Sequence, residues 1–158
     1  MAEGKVVIYT DGGCVGNPGK GSYGVVLLYK DQRRELSGGY ARTTNNRMEM
    51  MACIVGLKAL KQLSQVVIFS DSAYVVNSMR KGWADRWRAQ GWQRKHDDGY
   101  VPVPNADLWQ QLLEICAQHE VEFVKVRGHA GITENERCHQ LASAVFAQSA
   151  LPPDPGFA

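Results

Sequence analysis

The clearest strands in this chain are continuous hydrophobic runs rather than alternating ones. Two segments, VVIYTD at 6–11 and VVIFSD at 66–71, each place four apolar residues before a hydroxyl residue and an aspartate. A continuous run of this kind is typical of a strand that is buried on both faces of a parallel sheet. We therefore predict that the two segments are neighbouring parallel strands. Both aspartates would then lie at the edge where open α/β sheets bind ligands.

The rest of the pattern predicts a hairpin and several helices around these strands. Residues 21–30 and 33–41 are strand-like segments joined by two polar residues, which is typical of an antiparallel β-hairpin. Helical periodicity follows over 44–63 and returns later in the chain. The later elements are helices at 72–88, at 105–118 and from 133 onwards, and a strand at 121–126. The prediction is an α/β fold with a five-stranded mixed sheet flanked by helices.

Length and composition indicate a single domain. The chain has 158 residues, of which 44% are hydrophobic and 22% charged, enough for one core, which we assign to residues 1–148. The segment SALPPDPGFA at 149–158 is predicted to be a disordered tail, because its prolines cannot continue a helix and its small residues bury little. Every apolar run is too short for a membrane span, and the run at 6–9 is too short for a signal peptide.

The cysteines point to a reducing compartment. The chain has four of them, and no two are arranged as a CxxC pair. Reduced thiols in the cytoplasm are therefore favoured over a disulfide framework or a zinc site. The four are Cys14, Cys53, Cys116 and Cys138.

A third carboxylate, Glu49, is predicted to approach the two strand-end aspartates. On a helical wheel of 44–63 it falls beside the apolar stripe, where an unpaired carboxylate is costly. That stripe consists of Met48, Ala52, Val55 and Ala59. One interpretation is a glutamate at the rim that reaches solvent or pairs with Arg47 or Lys58. The other is a member of a site with Asp11 and Asp71.

Three carboxylates in one place predict a cation between them. They repel one another, so some would take up protons unless a cation held them apart. Oxygen ligands with room for water suit a hard divalent cation, most often Mg²⁺. Such a cation with open positions suits hydrolysis by phosphoryl transfer.

Five motifs, taken together, resemble the bacterial type 1 ribonuclease H family. The resemblance covers residues 5–148, with the motifs in the family's order and spacing. They are YTDGG, GNPGKGSYG, TTNNRMEMMA, SDSAYVVNSM and GHAGITENERC. The resemblance implies a ribonuclease H-like fold and metal-dependent cleavage of the RNA strand of an RNA/DNA hybrid, which leaves a 3′-hydroxyl and a 5′-phosphate. A monomer is the family's usual state.

The resemblance also implies roles for particular residues. Asp11, Glu49 and Asp71 match the metal-binding carboxylates, and His129 matches a histidine that assists proton transfer or product departure. The family's fourth acidic position, normally aspartate, falls on His139.

Three interpretations of His139 stay open. It could relieve repulsion within the acidic site, since one charge is lost. It could bind metal or position water, which would shift preference from Mg²⁺ towards Mn²⁺. It could also weaken or abolish catalysis and leave a domain that binds hybrids. We expect retained but altered catalysis, which combines the first two.

The net charge of +2 is small, but basic residues concentrate in residues 79–96, called here the basic element. The element has six basic side chains and a single acidic one, Asp85. One interpretation is an amphipathic helix whose tryptophans pack on the core. The other, which the resemblance favours, is a handle that follows phosphates. Its proposed contact residues are Trp83, Trp87, Arg88 and Trp92.

The resemblance implies two further contact sets. Residues facing the minor groove, where the 2′-hydroxyl distinguishes RNA from DNA, are Cys14, Asn17, Asn45 and Asn46. Residues gripping a phosphate of the DNA strand, called here the phosphate pocket, are Arg42, Thr44 and Asn105. Turn and cap chemistry is the alternative for these residues, since Thr44 and Asn45 are natural N-caps.

Overall fold

A computed structural model describes residues 4–127, 133–148 and 150–157 and is built around a five-stranded mixed sheet. Its strands are β1 (Lys5–Gly16), β2 (Gly19–Tyr29), β3 (Gln32–Thr43) and β4 (Gln65–Ser70), then β7 (Glu120–Lys125). A separate hairpin consists of β5 (Gln93–His96) and β6 (Gly99–Pro102). The helices are α1 (Asn45–Lys58), α2 (Ala73–Arg80), α3 (Trp83–Ala89), α4 (Ala106–Cys116) and α5 (Thr133–Val145). No helix of the described residues is both long and apolar enough to span a bilayer.

The sheet confirms the α/β prediction and its order is β3-β2-β1-β4-β7. β1 and β4 are parallel neighbours, in register from Lys5 opposite Gln65 to Tyr9 opposite Phe69. β1 does not end at Asp11, as predicted, but continues to Gly16 in antiparallel pairing with β2. The parallel ladder alone stops before Asp11, because β4 is already ending there.

Helix α1 is buried on two sides, which the predicted stripe did not anticipate. Met50, Ile54 and Leu57 are fully buried, whereas Val55 of the predicted stripe is only partly buried. The reason is that α1 packs against β1 and β2 on one side and against α4 on another. The helix also ends at Lys58, before the predicted end at residue 63. Burial of each large side chain contributes about 1.5–3 kcal/mol to the core.

Two glycines permit the close contacts that shape the site. A Cβ at Gly12 would collide with the backbone of Met48 and Glu49, so β1 crosses α1 there without any side chain between them. A Cβ at Gly24 would collide with the carbonyl oxygen of Cys138, so α5 lies directly on β2. These contacts bring Glu49 to β1 and the first half of α5 to the same end of the sheet.

The β5–β6 hairpin replaces the loop predicted after residue 88. Its backbone pairs from Gln93 opposite Pro102 to His96 opposite Gly99. The residues of β5 are polar and all of them are exposed. The four residues of β5 therefore carry no hydrophobic pattern that would mark the hairpin in the sequence.

The segment predicted to be a disordered tail is packed against the domain over residues 150–157. Asp154 is only 5% exposed, and its Oδ2 accepts hydrogen bonds from Arg47 Nε and Thr43 Oγ1, both at 2.7 Å. The carbonyl of Pro152 accepts a hydrogen bond from the Ala41 amide at 2.8 Å. The packing is explained by the buried charge of Arg47, which requires acidic partners.

Candidate active site

Three carboxylates meet at the carboxyl end of the parallel strands. Asp11 lies where the β1–β4 ladder stops, Asp71 follows β4 directly, and Glu49 lies in the second turn of α1. One oxygen from each lies within 4.8 Å of the other two. We call this group the acidic cluster. The prediction that α1 would bring its glutamate to the two aspartates is therefore confirmed as a matter of geometry.

The electrostatics of the acidic cluster are unfavourable without a cation. Burial raises the pKa of Glu49 well above its ordinary value, and hydrogen bonding with Asp71 and the charges of Asp71 and Asp11 raise it further. Burial and then the charge of Asp71 also raise the pKa of Asp11, which the hydrogen bond with His139 partly offsets. Each shift reflects the cost of holding these groups ionised side by side.

The acidic cluster fits a hard divalent cation. Glu49 is 8% exposed, and its Oε1 is buried without a hydrogen-bond partner among the described residues. An unsatisfied carboxylate oxygen beside two more carboxylates is a donor set that such a cation would complete. The alternative partner, Arg47, is engaged elsewhere: its guanidinium binds Asp107 and Asp154 at 2.7 Å.

His139 lies at the rim of the acidic cluster. Its Nδ1 is 3.2 Å from Asp11 Oδ2, and its side chain is 51% exposed. It contacts Asp11 of the cluster, and it is not one of the three mutually close ligands. Helix α5 is fixed in this place by Ser22 Oγ, which donates to the Ala142 carbonyl at 2.7 Å. Lys20 Nζ also donates to the carbonyls of Phe146 and Gln148, just beyond the end of the helix, at 3.0 and 2.9 Å. His129 lies outside the described residues.

Helix α5 is also fixed by an ionic network to β3. Arg137 donates two hydrogen bonds of 2.9 Å to the Glu35 carboxylate. The guanidinium of Arg33 forms one salt bridge of 3.0 Å with Glu35 and another of 2.7 Å with Glu134. The hydrogen bonds from Arg137 and then from Arg33 lower the pKa of Glu35 to about 2.

We expect Glu35→Gln to remove a pH-dependent contribution to stability. Since the folded pKa of Glu35 is about 2 and its ordinary value 4.5, the contribution is complete above 4.5 and lost as the pH falls through 2. Thermal unfolding between pH 2 and 6 should show a variant that is less stable than the parent at pH 6 and converges with it at pH 2. Glu114→Gln, an exposed change on α4, is the control. A constant gap across this range would contradict the prediction.

An open groove of about 430 Å³ joins the acidic cluster to the predicted minor-groove residues, including Cys14, Asn45 and Asn46. The Cys14 amide donates to Asn45 Oδ1 at 2.7 Å, and the Asn45 amide donates to Asn17 Oδ1 at 3.1 Å. The turn chemistry considered for these residues is therefore real. It holds the first turn of α1 beside the end of β1.

Two of the three residues of the phosphate pocket, Thr44 and Asn105, contact Arg47. The hydroxyl of Thr44 caps α1 by accepting a hydrogen bond from the Arg47 amide at 3.2 Å. The guanidinium of Arg47 donates to Asn105 Oδ1 at 3.4 Å. Arg42 is exposed near the end of β3, and its guanidinium carbon lies 5.2 Å from the centre of the Phe157 ring.

The tryptophans of the basic element pack as the amphipathic-helix interpretation expects, and their contact with phosphates stays a prediction. Trp87 packs against Trp109 with ring centres 5.9 Å apart, and Trp92 also packs on the core. Trp83 is half-buried and lies under the Lys81 ammonium, which is 5.4 Å from the ring centre. Arg88 is exposed and pairs with Asp85 at 2.9 Å. The rings therefore anchor the element, while its charges face solvent.

Sequence reasoning missed the residues that support the site from behind. Buried Arg47 pairs with buried Asp154 and with the partly exposed Asp107 beside the phosphate pocket. The sequence pattern suggests only that Arg47 could pair with Glu49, and it places Asp154 in a segment predicted to be disordered. Their separation in sequence, 107 positions for Arg47 and Asp154, left no local signal.

Comparison with known proteins places this geometry in a family. The family model described as RNase H matches residues 3–147. A protein named Ribonuclease H from Syntrophus aciditrophicus is 54% identical over 97% of this chain and 87% of its own length. One named Ribonuclease HI from Synechocystis is 50% identical over 96% of this chain and 94% of its own. The crystal structure of LC9-RNase H1, described as a type 1 RNase H with the type 2 active-site motif, matches with a TM-score of 0.80 at 32% identity. That match covers 94% of this chain and 75% of that one.

Proposed function

The chain belongs to the bacterial type 1 ribonuclease H family, and we propose that the acidic cluster is the centre with which it hydrolyses the RNA strand of RNA/DNA hybrids. The observation that carries this proposal is the meeting of three carboxylates within 4.8 Å in an open groove. Named ribonucleases at 54% and 50% identity favour an endoribonuclease over a hybrid-binding domain without catalysis.

The family uses divalent metal, and Asp11, Glu49 and Asp71 would hold it in this chain. Mg²⁺ is the ion we propose, with Mn²⁺ as a substitute. When bound, such an ion polarises the scissile phosphate and lowers the pKa of water. The buried Glu49 oxygen has no hydrogen-bond partner in the part of the chain that the structure describes, which supports this assignment, since a cation would satisfy it.

His139 would orient Asp11 and exchange a proton with solvent. Its ring nitrogen 3.2 Å from Asp11 fixes one carboxylate oxygen, and its half-exposed position allows protonation from water. It is a weaker candidate for a metal ligand, because it is not one of the three residues whose ligand atoms lie within 4.8 Å of one another. His129 remains a proposal for proton transfer or product departure by resemblance alone.

The reaction we propose forms one bond to phosphorus and breaks another. A water oxygen attacks the phosphorus of an RNA linkage, and the bond from phosphorus to the 3′ oxygen breaks. The attacking water gives up a proton, the leaving 3′ oxygen takes one up, and the phosphate stays on the 5′ end of the downstream fragment. The products are therefore a 3′-hydroxyl and a 5′-phosphate.

Recognition of the hybrid would divide between two surfaces. Cys14, Asn45 and Asn46 border the groove, and Asn17 accepts a hydrogen bond from the Asn45 amide. We propose that these four residues read the 2′-hydroxyl of the RNA strand. The phosphate pocket would grip the DNA strand, since the guanidinium of Arg42 offers paired donors to a phosphate. The basic element, with Trp83, Trp87, Arg88 and Trp92, would follow the backbone outside the groove.

Cleavage of a hybrid labelled on each strand tests the proposal. We expect cleavage of the RNA strand alone, dependent on Mg²⁺ or Mn²⁺, with no cleavage of DNA duplex or RNA duplex. The matched control is Asp71→Asn, which keeps the shape of the side chain and removes one charge of the acidic cluster. Cleavage of a DNA strand, or full activity of the control, would refute the assignment.

We expect hybrid binding to weaken steeply with salt because the basic element neutralises phosphates. Each phosphate contact contributes about −0.9 to the slope of log K against log salt in duplex DNA. Removing Arg94 and Lys95 together should make this slope shallower by about one to two. Binding constants measured by fluorescence anisotropy at salt concentrations from about 50 to 300 mM give the slope. Arg34→Ala, an exposed change on edge strand β3, should leave it unchanged.

We also propose a cytoplasmic monomer. All four cysteines are free, and burial raises the pKa of Cys53, Cys116 and Cys138, which suits inert thiols in a reducing compartment. Sedimentation of the purified chain would test the monomer.

A further inference from the structure

We propose that residues 150–157 form a strap that positions the phosphate pocket, with Asp154 and Phe157 as its two positioning residues. The proposal rests on the proposed function, which assigns that pocket to a phosphate of the DNA strand. The strap neither touches the acidic cluster nor supplies a group to the reaction. Its effect would be on affinity for the hybrid rather than on the chemical step.

The first anchor of the strap is Asp154. Both of its carboxylate oxygens bind Arg47: Oδ2 accepts from Nε at 2.7 Å, and Oδ1 accepts from Nη2 at 3.0 Å. Oδ2 also accepts from Thr43 Oγ1 at 2.7 Å, next to Thr44 of the pocket. Since Arg47 is 2% exposed, the strap supplies a counter-charge that water does not.

Arg47 carries this anchor to the pocket. Its Nη1 donates to Asn105 Oδ1 at 3.4 Å and to Asp107 Oδ1 at 2.8 Å. Asn105 has a left-handed backbone with φ of 63° and makes no side-chain cap bond to α4. Its amide is instead held by Arg47 and by the Tyr74 hydroxyl, which is 3.2 Å from Nδ2. Fixing Arg47 therefore fixes the asparagine of the pocket.

The second anchor is Phe157, whose ring centre lies 5.2 Å from the guanidinium carbon of Arg42. A guanidinium over an aromatic face keeps its N–H donors in its own plane, where a phosphate is bound. The strap reaches this place because Gly156 passes against Asp107, where a Cβ would overlap Oδ2 of the aspartate.

The charges of the strap favour positioning over obstruction. Asp154 is the one charged residue of 150–157, and Arg47 already neutralises it. The ring of Phe157 is uncharged, so its contact orders the Arg42 guanidinium without adding a charge of its own. Removing the ring should therefore weaken hybrid binding instead of strengthening it.

Steady-state cleavage of a hybrid by Phe157→Ala tests the second anchor. We expect KM to rise about threefold to tenfold, the size of one cation–π contact, with kcat changed less than about twofold. Phe157→Tyr should restore the parent KM, since it keeps the ring. Pro153→Ala, an exposed change in the same segment, should change neither constant. An unchanged or lower KM in Phe157→Ala would overturn the proposal.

A neutral linkage in the DNA strand shows whether the effect acts at the pocket. In hybrids with one methylphosphonate moved along the DNA strand, the parent chain should lose affinity at one position. At that position the loss should shrink in Phe157→Ala and also in Asp154→Asn, while other positions behave as in the parent. Equal losses in parent and variants would mean that the strap only stabilises the fold, which overturns the proposal.

Failure of the proposed function would look different from failure of the strap. A parent chain that cleaves no RNA strand would refute the function before any variant is made. A parent chain that cleaves the hybrid, with variants that share its KM and its methylphosphonate profile, would refute the strap alone. Melting temperatures of the same proteins identify any variant whose KM reflects partial unfolding.

Discussion

Glu49→Gln is expected to abolish cleavage and to raise the thermal stability of the metal-free protein. The variant keeps the size of the side chain and removes one of three crowded charges. We expect cleavage to fall by at least about a hundredfold, the effect of removing one preorganised electrostatic group from an active site. Stability should move in the opposite direction, because the buried carboxylate is costly to ionise.

The direction of the stability change follows from the raised pKa of Glu49. A group whose pKa is higher in the folded state than in the unfolded state stabilises the fold at pH values below its unfolded pKa. This stabilisation is lost as the pH rises through its folded pKa. The parent chain should therefore lose stability towards neutral pH in EDTA, and Glu49→Gln should not. Each kcal/mol gained appears as about 2–4 °C in melting temperature for a chain of this size.

Added Mg²⁺ provides the internal comparison for this prediction. A cation that binds only the folded state raises its melting temperature with concentration. That rise should be large in the parent and small in Glu49→Gln, while Glu114→Gln should behave as the parent. A variant that melts lower than the parent without metal would show that the Glu49 carboxylate supports the fold. Full activity would remove it from the active site.

The sheet and the acidic cluster were predictable because their determinants are local. Continuous apolar runs identify buried parallel strands, and the residue after such a strand lies at a known edge. Glu49 followed from the helical wheel, which needs only its own helix. The prediction erred where a strand continued beyond its apolar run, as β1 does from Asp11 to Gly16.

The elements that failed prediction depend on partners far along the chain. Helix α1 has a second buried side because α4 packs against it. Helix α4 lies more than forty positions later in the chain, roughly the span from Leu57 to Leu108. The order of residues 150–157 depends on Arg47, whose charge is compensated only after the chain has folded. Composition describes such a segment in isolation, so it predicted disorder.

His139→Asp is the second variant with a large expected effect. The change would place a fourth carboxylate beside Asp11 and remove the imidazole that contacts it at 3.2 Å. In the metal-free protein this should lower the melting temperature, because a further like charge is added to an acidic site. In Mg²⁺ we expect cleavage to rise about tenfold, because a carboxylate at this position would add an oxygen ligand of the kind that ion prefers.

The ratio of rates in Mn²⁺ and Mg²⁺ separates the open interpretations of His139. If the imidazole orients Asp11 or touches the metal, the parent should favour Mn²⁺ and His139→Asp should favour Mg²⁺. His139→Ala should be slower than both, since it can neither orient the carboxylate nor move a proton. Gln140→Asp, which adds the same charge at the next position of α5, should leave the ratio unchanged.

Two results would contradict the proposed role of His139. An aspartate variant with the parent's rate and metal ratio would make position 139 irrelevant to catalysis, whatever its contact with Asp11. Cleavage by the aspartate variant alone would mean that the parent chain binds hybrids without cutting them. Cleavage by both the parent and His139→Asp, with different ratios of the rates in Mn²⁺ and Mg²⁺, supports the proposed role. In that interpretation three carboxylates provide the active centre, and the imidazole adjusts its metal preference.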